Sequence, residues 1–256
     1  MKLTNSYPSL RHKIVFISGG ATGIGANMVE AFCRQQATVV FVDILDAEAG
    51  KLVTHIASLA NASVPRFFHC DLRDTGSLQA VIAAVRNELG PIGVLVNNAA
   101  SDTRHDFRKV TEEYWNERIN VNLRHAFFAN QAVYPHMQEA GGGSIINFGS
   151  MSWHECQGNM TGYTTSKAGL EGMTRGLARD LGADNIRINT LVPGWVMTER
   201  QLRDWVDVNT AAEINRSQCL KSRLLPDDIS AMALFLASDD SGMCTAQNFI
   251  VDGGWI

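Results

Sequence analysis

The chain has 256 residues, of which 45% are hydrophobic and 19% are charged, and its formal net charge is -4. This length suits one α/β domain, and the apolar content excludes a wholly disordered chain. The slightly acidic balance argues against a dedicated nucleic-acid or anionic-membrane binder.

Short apolar runs rich in β-branched and aromatic residues alternate with longer stretches of helical spacing. We predict strands at 13–18, 38–42, 66–69, 92–96, 144–148, 186–191 and 249–251. We predict helices at 23–35, 47–59, 75–89, 112–140, 162–181 and 226–237. Nearly continuous apolar strands between helices indicate a parallel sheet that is covered on both faces. The expected fold is a Rossmann-type, doubly wound α/β sheet of about seven strands in one domain over 1–256, with ligands beyond the carboxyl ends of its strands.

A glycine-rich turn, SGGATGIG at 18–25, joins the first predicted strand to the first predicted helix. Glycines let backbone N–H groups and a helix N-terminus approach a pyrophosphate, although an ordinary turn can look the same in isolation. Asp43 ends the second predicted strand, close to the roughly 20-residue spacing expected for an acid that binds the adenosine ribose. Its carboxylate would repel a 2′-phosphate, and no Lys or Arg lies within 19–25 or directly after Asp43. The pattern therefore predicts NAD rather than NADP.

Tyr163 and Lys167 stand four residues apart in a predicted helix, so their side chains are expected on one face. A nearby ammonium favours the phenolate, and we expect the tyrosine pKa to fall by about 1–3 below its ordinary value of roughly 10. Such a tyrosine suits general-base catalysis near neutral or mildly alkaline pH. A surface pair on a helix would show the same spacing.

Five features in chain order together resemble the classical short-chain dehydrogenase/reductase family. They are the glycine turn, Asn97–Ala99, Ser150, the Tyr163-x-x-x-Lys167 pair and Pro193–Gly194. The resemblance covers essentially the whole chain. It implies that Tyr163 is the catalytic base, that Lys167 binds the nicotinamide ribose and lowers the tyrosine pKa, and that Ser150 positions the substrate oxygen. It also implies that Asn122 holds a water in a proton relay, with Asn120 as the rival for that role.

The resemblance further implies a set of cofactor contacts. Asp71 and Leu72 resemble the adenine contact after the third strand, and 193–198 resembles the segment that holds the carboxamide. The expected cofactor-binding residues are Gly19, Thr22, Gly23, Ile24, Gly25, Asp43, Asp71, Leu72, Asn98, Tyr163, Lys167, Pro193, Gly194, Val196 and Thr198. No metal site is expected, because the seven His residues show no ligand spacing and the cysteines do not cluster.

The segments 101–106, 151–162 and the stretch after Thr198 are expected to line the substrate pocket. With Trp195 they supply polar groups and flat aromatic faces: Asp102, Arg104, His105, Trp153, His154, Glu155, Gln157 and Asn159. A sugar needs many hydrogen-bond partners and an apolar face for its C–H side, whereas a steroid or acyl-chain pocket is expected to be more apolar. The expected substrate contacts are Ser150, Tyr163, Arg104, Trp153, His154, Asn159 and Trp195. Any of the loop residues could instead be solvated, and Trp153 and His154 could pack a subunit contact.

At a finer level, 102–105, 114–125, 147–154 and 218–223 resemble bacterial NAD-dependent aldose 1-dehydrogenases of the D-xylose type. This resemblance implies oxidation of the C1 hydroxyl of a D-xylose-, L-arabinose- or D-galactose-type aldose to the lactone. One alternative is a family member that acts on another secondary alcohol, as a polyol dehydrogenase or a 3-oxoacyl thioester reductase. The other is a regulator that senses NAD without turnover, against which the complete set of Tyr163, Lys167, Ser150 and Asn122 argues.

The expected partner is a small-molecule sugar, with no nucleic acid and no membrane. No apolar run is long enough for a transmembrane helix, and residues 1–10 lack the pattern of a secretory signal. The five cysteines are scattered without a CxxC pair, which predicts reduced thiols and a cytoplasmic protein. The family resemblance implies a homotetramer built through the helices predicted at 112–140 and 162–181.

Overall fold

In the computed structural model, which describes residues 4–256, seven strands form one parallel sheet. They are β1 Ile14–Ser18, β2 Thr38–Asp43, β3 Arg66–His69, β4 Val94–Asn97, β5 Gly143–Phe148, β6 Ile186–Pro193 and β7 Asn248–Val251. Their order across the sheet is β3-β2-β1-β4-β5-β6-β7, and every neighbouring pair is parallel. The predicted doubly wound parallel fold is confirmed.

The central strands are apolar along their whole length because helices cover both faces of the sheet. All five residues of β1 and all four of β4 are buried. The two edge strands, β3 and β7, have four residues each and are partly exposed. Short edge strands limit pairing with other chains, so the buried centre of the sheet is framed by edges that resist aggregation.

Nine helices of the described residues surround the sheet. They are α1 Gly23–Arg34, α2 Asp46–Ala57, α3 Thr75–Leu89, α4 Glu112–Ile119, α5 His125–Glu139, α6 Thr161–Leu181, α7 Glu199–Asp204, α8 Val208–Ser217 and α9 Pro226–Ala237. One apolar core layer joins α1 and α9 to the sheet, and a second joins α3 and α5 to the opposite face. None of the helices between residues 4 and 256 combines the length and the apolar character needed to cross a membrane.

The structure interrupts the long helix predicted at 112–140. A π-helical turn at Asn120–Arg124 separates α4 from α5. The side chain of Asn122 explains the interruption, because its Nδ2 donates to the Arg118 carbonyl at 2.9 Å and so competes for an acceptor of the helical ladder. Such π turns often occur at functional sites.

The topological switch point of the sheet lies between β1 and β4, because the chain crosses from β3 at one edge to β4 beside β1. Chain segments leave the carboxyl ends of β1, β2, β4, β5 and β6 on the same side. Ligands of doubly wound sheets bind in the crevice at this edge. The residues singled out from the sequence therefore gather at one edge of the molecule.

Candidate active site

The turn between β1 and α1 is shaped for close approach of a ligand to the backbone. Gly19 has φ +68° and Gly23 has φ +56°, a region that L side chains rarely adopt. A Cβ on Gly25 would lie 1.9 Å from the carbonyl oxygen of Gly19. Thr22 begins the helix in an extended conformation, and its side chain does not cap the first turn. The free N–H groups at this helix start fit a pyrophosphate.

Asp43 ends β2 beside this turn. Its Oδ2 accepts a hydrogen bond from the Ala21 N–H at 2.9 Å, and its Oδ1 accepts from the N–H groups of Ile44 and Leu45. Two carboxylate oxygens offer about four acceptor positions, so the carboxylate is held in place and still has capacity for ribose hydroxyls. The residues around the turn therefore fit a dinucleotide.

Asn98 fastens the end of β4 to the glycine turn. Its Nδ2 donates to the carbonyls of Ser18 and Gly19, at 3.1 and 2.9 Å. The Ser18 hydroxyl in turn accepts from the N–H groups of Asn98 and Ala99. The role of Asn98 here is to fix the backbone of the turn.

The segment after β6 forms the other side of the crevice. Pro193 ends β6, and the Gly194 N–H donates to the Val251 carbonyl at 2.9 Å. Val196 is buried, and the Thr198 Cγ2 would lie 3.4 Å from a Cβ on Gly23. The segment expected to hold the carboxamide thus lies against the glycine turn.

Asp71 and Leu72 follow β3, next to Asp43. The Asp71 carboxylate pairs with Arg73, and this pairing holds its pKa below the ordinary value. Leu72 is 7% exposed and packs in the core, so its side chain does not face the crevice. If these two residues contact adenine, the contact is made by their backbone atoms and by the exposed part of the Asp71 side chain.

Ser150, Tyr163 and Lys167 meet where β5 ends against α6. The hydroxyls of Ser150 and Tyr163 are hydrogen-bonded to each other, and the Ser150 Oγ also lies 2.9 Å from the Ser152 Oγ. The Lys167 Nζ donates to the Phe148 carbonyl at 2.6 Å and lies 5.5 Å from the centre of the Tyr163 ring. The spacing of Tyr163 and Lys167 therefore does place them on one face of α6.

The expectation that Lys167 lowers the tyrosine pKa is wrong for this structure. Burial raises the pKa of Tyr163 to about 12, and the hydrogen bond from Ser150 offsets only part of the rise. Burial also lowers the pKa of Lys167 to about 7, so the lysine itself loses much of its charge near neutral pH. For each of the two side chains, the cost of removing its charged form from water is the largest cause of the pKa shift.

Asn122 is fully buried, and its side chain forms hydrogen bonds to the loop that follows β4. Its Oδ1 accepts from the Ser101 N–H at 2.7 Å, and its Nδ2 donates to the carbonyls of Ser101 and Arg118. Both N–H groups of the amide are used in this way. The side-chain amide has no N–H group left to donate to a water. If Asn122 holds a water, as predicted, it does so through its backbone in the π turn.

A cavity opens above Ser150 and Tyr163. It is lined by Ile24, Arg104, Ser150, Met151, Ser152, Glu155, Gln157, Met160, Tyr163, Gly194, Trp195, Val196, Thr198 and Gln201. Of the expected substrate contacts, Arg104, Ser150, Tyr163 and Trp195 are part of this wall. Glu155 and Gln157 come from a segment that was expected to line the pocket.

Trp153 and His154 do not line this cavity. The Trp153 Nε1 donates to Glu171 Oε1 at 2.8 Å, and the His154 Nε2 lies 3.1 Å from the same oxygen. Glu171 is buried on α6 and also accepts from Asn248. This carboxylate holds both rings outside the cavity, and their predicted contact with substrate stays a prediction.

Asn159 contributes through its backbone. It adopts a left-handed conformation with φ 60°, and its carbonyl accepts from the His105 N–H at 2.7 Å. Its side chain is not among those that line the cavity. Asn159 therefore joins two pocket segments through its backbone, and its predicted contact with substrate stays a prediction.

Sequence reasoning missed α7, α8 and the role of Gln201. Gln201 Oε1 accepts from the Trp195 Nε1 at 3.1 Å, and Gln201 Nε2 donates to Asp102 at 3.2 Å. Arg200 pairs with the other oxygen of Asp102 at 2.6 Å. Thr198 and Gln201 have the spacing of a capping box, a signal that could have predicted a helix start here.

Comparisons with known proteins show the family of the chain. Residues 19–256 match a family model described as enoyl-(acyl carrier protein) reductase, which belongs to the short-chain dehydrogenase/reductase family. The chain is 48% identical to the D-xylose 1-dehydrogenase of Caulobacter vibrioides, over 97% of this chain and 98% of that protein. It is 46% identical to a Rhizobium meliloti protein named "Probable galactose dehydrogenase GalD", over 98% of each.

The fold also matches solved structures. A 7α-hydroxysteroid dehydrogenase complexed with NADH and 7-oxo glycochenodeoxycholic acid has a TM-score of 0.89 and 29% identity to this chain. The match covers 98% of this chain and 96% of that one. The chain therefore belongs to the short-chain dehydrogenase/reductase family and is a nicotinamide-dependent oxidoreductase.

Proposed function

We propose that this protein is an NAD-dependent aldose 1-dehydrogenase. It oxidises the C1 hydroxyl of an aldopyranose of the D-xylose, L-arabinose or D-galactose type to the lactone. The D-xylose 1-dehydrogenase and the galactose dehydrogenase named above support this substrate class, since they are similar over nearly the whole chain.

The observation that carries the proposal is the cavity in which two hydrogen-bonded hydroxyls lie beneath a polar wall. Ser150 and Tyr163 supply the hydroxyls, and Arg104, Glu155 and Gln201 supply donors and acceptors above them. Trp195 adds a flat apolar face. A sugar ring presents hydroxyls at its edge and C–H groups on its faces, and this wall matches both.

The chemistry follows from the positions of the two hydroxyls. Ser150 donates a hydrogen bond to the C1 oxygen of the sugar, and Tyr163 accepts the C1 hydroxyl proton as a hydride leaves C1. The C–H and O–H bonds break and a C=O bond forms, which gives the lactone. NAD, when bound, supplies the hydride acceptor, held by the glycine turn and by Lys167. Holding the sugar in one orientation supplies much of the rate.

The choice of NAD over NADP rests on Asp43. Its carboxylate is fixed by three backbone N–H groups at the end of β2. A 2′-phosphate placed near this carboxylate would meet a like charge in a partly buried position, which is unfavourable. A ribose with a free 2′-hydroxyl can instead donate a hydrogen bond to it.

The appearance of NADH with a panel of sugars and polyols, run in parallel with NADP, tests the proposal. The panel holds D-xylose, L-arabinose, D-galactose, D-glucose, L-fucose, xylitol and galactitol. Strong turnover of at least one aldose with NAD is expected. Turnover of polyols alone, or of none of the panel, would overturn the aldose proposal and favour another secondary alcohol.

We further propose a homotetramer in the cytoplasm. All five cysteines are free, which suits a reducing compartment. Phe127 on α5 is 42% exposed, on a helix next to α6, where a subunit contact would cover it. Light scattering is expected to give about four times the chain mass of 28.0 kDa, and a monomeric mass would contradict the proposal.

A further inference from the structure

Two opposite charges line the cavity without forming an ion pair. Arg104 comes from the loop after β4, and Glu155 follows the turn at Met151–Trp153. Both side chains are half-buried. Within residues 4–256, neither forms an ion pair, although other charges nearby, such as Arg200 and Asp102, do. Half-buried charges without partners are unfavourable, so these two are expected to find a partner in a ligand.

Arg104 is held in place by uncharged neighbours. Its guanidinium carbon lies 4.8 Å from the centre of the Trp205 ring, and its Nη1 donates to the Met160 sulfur at 2.6 Å. These contacts fix the plane of the guanidinium and use one of its five N–H donors. The remaining donors are available to oxygen atoms in the cavity.

Glu155 lacks a donor for its carboxylate. Its backbone N–H donates to the Met151 carbonyl at 3.0 Å, which fixes the residue in the turn. Burial raises the pKa of the carboxyl, the neighbouring Glu213 on α8 raises it further, and Arg104 lowers it in part. A hydroxyl that donates to this carboxylate would relieve its lack of partners.

We propose that Arg104 and Glu155 together recognise two hydroxyls of a neutral sugar, Arg104 as donor and Glu155 as acceptor. The Arg104–Glu155 pair thereby sets the substrate class of the site, and this inference rests on the proposed function. Apolar alcohols are rejected because they leave both charges without partners.

Glu155→Ala tests the acceptor, with Glu213→Gln as the matched control. Glu213 is exposed and is not part of the cavity wall. We expect Glu155→Ala to raise the sugar KM at least about 10-fold, with kcat and the KM for NAD changed less than about threefold, because a hydrogen bond to a charged group is lost. Glu213→Gln is expected to stay within about twofold of the wild-type protein in all three constants at pH 8.

Deoxy sugars identify the hydroxyl and separate recognition from a structural effect. Against the deoxy sugar that lacks the contacted hydroxyl, Glu155→Ala and the wild-type protein are expected to agree within about twofold in kcat/KM. Glu155→Gln keeps an acceptor oxygen and is expected to be intermediate, and it provides the same test should Glu155→Ala fold poorly. Equal losses of the variant on every deoxy sugar, or an unchanged KM for the parent sugar, would overturn the assignment.

The two proposals fail in different ways. The wild-type protein on the sugar panel tests the aldose function by itself. The variants are measured on whichever alcohol the wild-type protein oxidises, so the Arg104–Glu155 pair can be refuted while sugar oxidation stands. An unchanged KM in Arg104→Gln, with NADH affinity intact, would refute the donor half of the pair.

Discussion

Burial raises the pKa of Tyr163 to about 12, so the residue stays a neutral phenol well above physiological pH. Its proton must leave before the residue can act as a base, so we expect turnover to increase towards alkaline pH. The hydrogen bond from Ser150 is the contact that favours the phenolate most in this structure. The proton transfer of the proposed reaction therefore depends on the pair of hydroxyls as a unit.

Tyr163→Phe is expected to lower kcat by about 10²- to 10⁴-fold, because the lost hydroxyl is the proton acceptor and the ring remains. The affinity for NADH, measured by fluorescence, should stay within about twofold. Residual turnover above a few per cent of the wild-type rate would argue against Tyr163 as the base.

Lys167 makes stability depend on pH. In the unfolded chain it keeps its proton up to its ordinary pKa of 10.5, whereas in the folded chain its pKa lies at about 7. Between these values the unfolded state binds more protons, so the free energy of unfolding rises with pH. Below pH 7 both states are protonated, and the fold carries the full cost of a buried charge.

We therefore expect the Tm of the wild-type protein without cofactor to rise between pH 7 and pH 9.5 relative to that of Lys167→Met. The variant has no buried ammonium, so it should also be the more stable protein below pH 7. Thermal unfolding of the two proteins across this range measures the difference. Parallel pH dependences would contradict the lowered pKa.

Asp43→Ala is expected to reduce the preference for NAD over NADP by about 10-fold or more. The variant removes both the acceptor for the 2′-hydroxyl and the charge that repels a 2′-phosphate. The measurement is the ratio of kcat/KM for the two cofactors. A ratio equal to that of the wild-type protein would assign cofactor choice to another residue.

Residue types alone could not separate pocket walls from their supports. Arg104 and Trp195 line the cavity, whereas Trp153 and His154 are of equally suitable types and are bound to Glu171 instead. Glu171 lies on α6, eight residues past Tyr163 in the sequence, and only folding brings it beneath the 151–155 turn. Spacing was sufficient for Tyr163 and Lys167 because both lie on one helix.

At the scale of elements, the close contact between Gly25 on α1 and the end of β1 can be tested by adding one methyl group. Gly25→Ala would place a Cβ 1.9 Å from the Gly19 carbonyl oxygen, so the turn must open. We expect NADH affinity to fall at least about 10-fold. Gly172→Ala on α6 meets no atom within 4 Å and is expected to be neutral or to stabilise by up to about 1 kcal/mol.

NADH fluorescence titration and thermal unfolding of the two glycine variants provide the measurement. The pair controls for the general effect of adding a methyl group to a helix. Wild-type affinity in Gly25→Ala would show that the turn is more adaptable than the contact implies.

The predicted strands match the structure closely because buried parallel strands are continuous apolar runs, which β1 and β4 illustrate. The helices were harder to predict where tertiary contacts decide their ends. The break at Asn120–Arg124 arises from side-chain contacts of Asn122 with Ser101 and Arg118. The six residues of α7 are too few to show a clear helical period.

At the scale of the whole molecule, the alternation of strands and helices was enough to place the site. Asp43 is the last residue of β2, and Ser150 and Gly194 follow the carboxyl ends of β5 and β6, as the rule for doubly wound sheets requires. The alternation does not predict the order of the strands in the sheet. That order depends on which apolar strands pair, and the strands are similar to one another in sequence. The seven-strand order could be anticipated only through the family resemblance.

The position of β7 has a consequence for biosynthesis. Because α7, α8 and α9 separate β6 from Asn248–Val251 in the sequence, a ribosome that adds about 5–20 residues per second makes β7 on the order of seconds after β6. Until β7 is made, the apolar strand β6 is the open edge of the sheet. The Gly194 N–H also lacks its acceptor until then, because that acceptor is the carbonyl of Val251 in β7. Nascent chains should therefore need protection from aggregation in the interval between the synthesis of β6 and that of β7. A truncation to 1–247 is expected to pellet where the full chain stays in the supernatant, which centrifugation after expression measures.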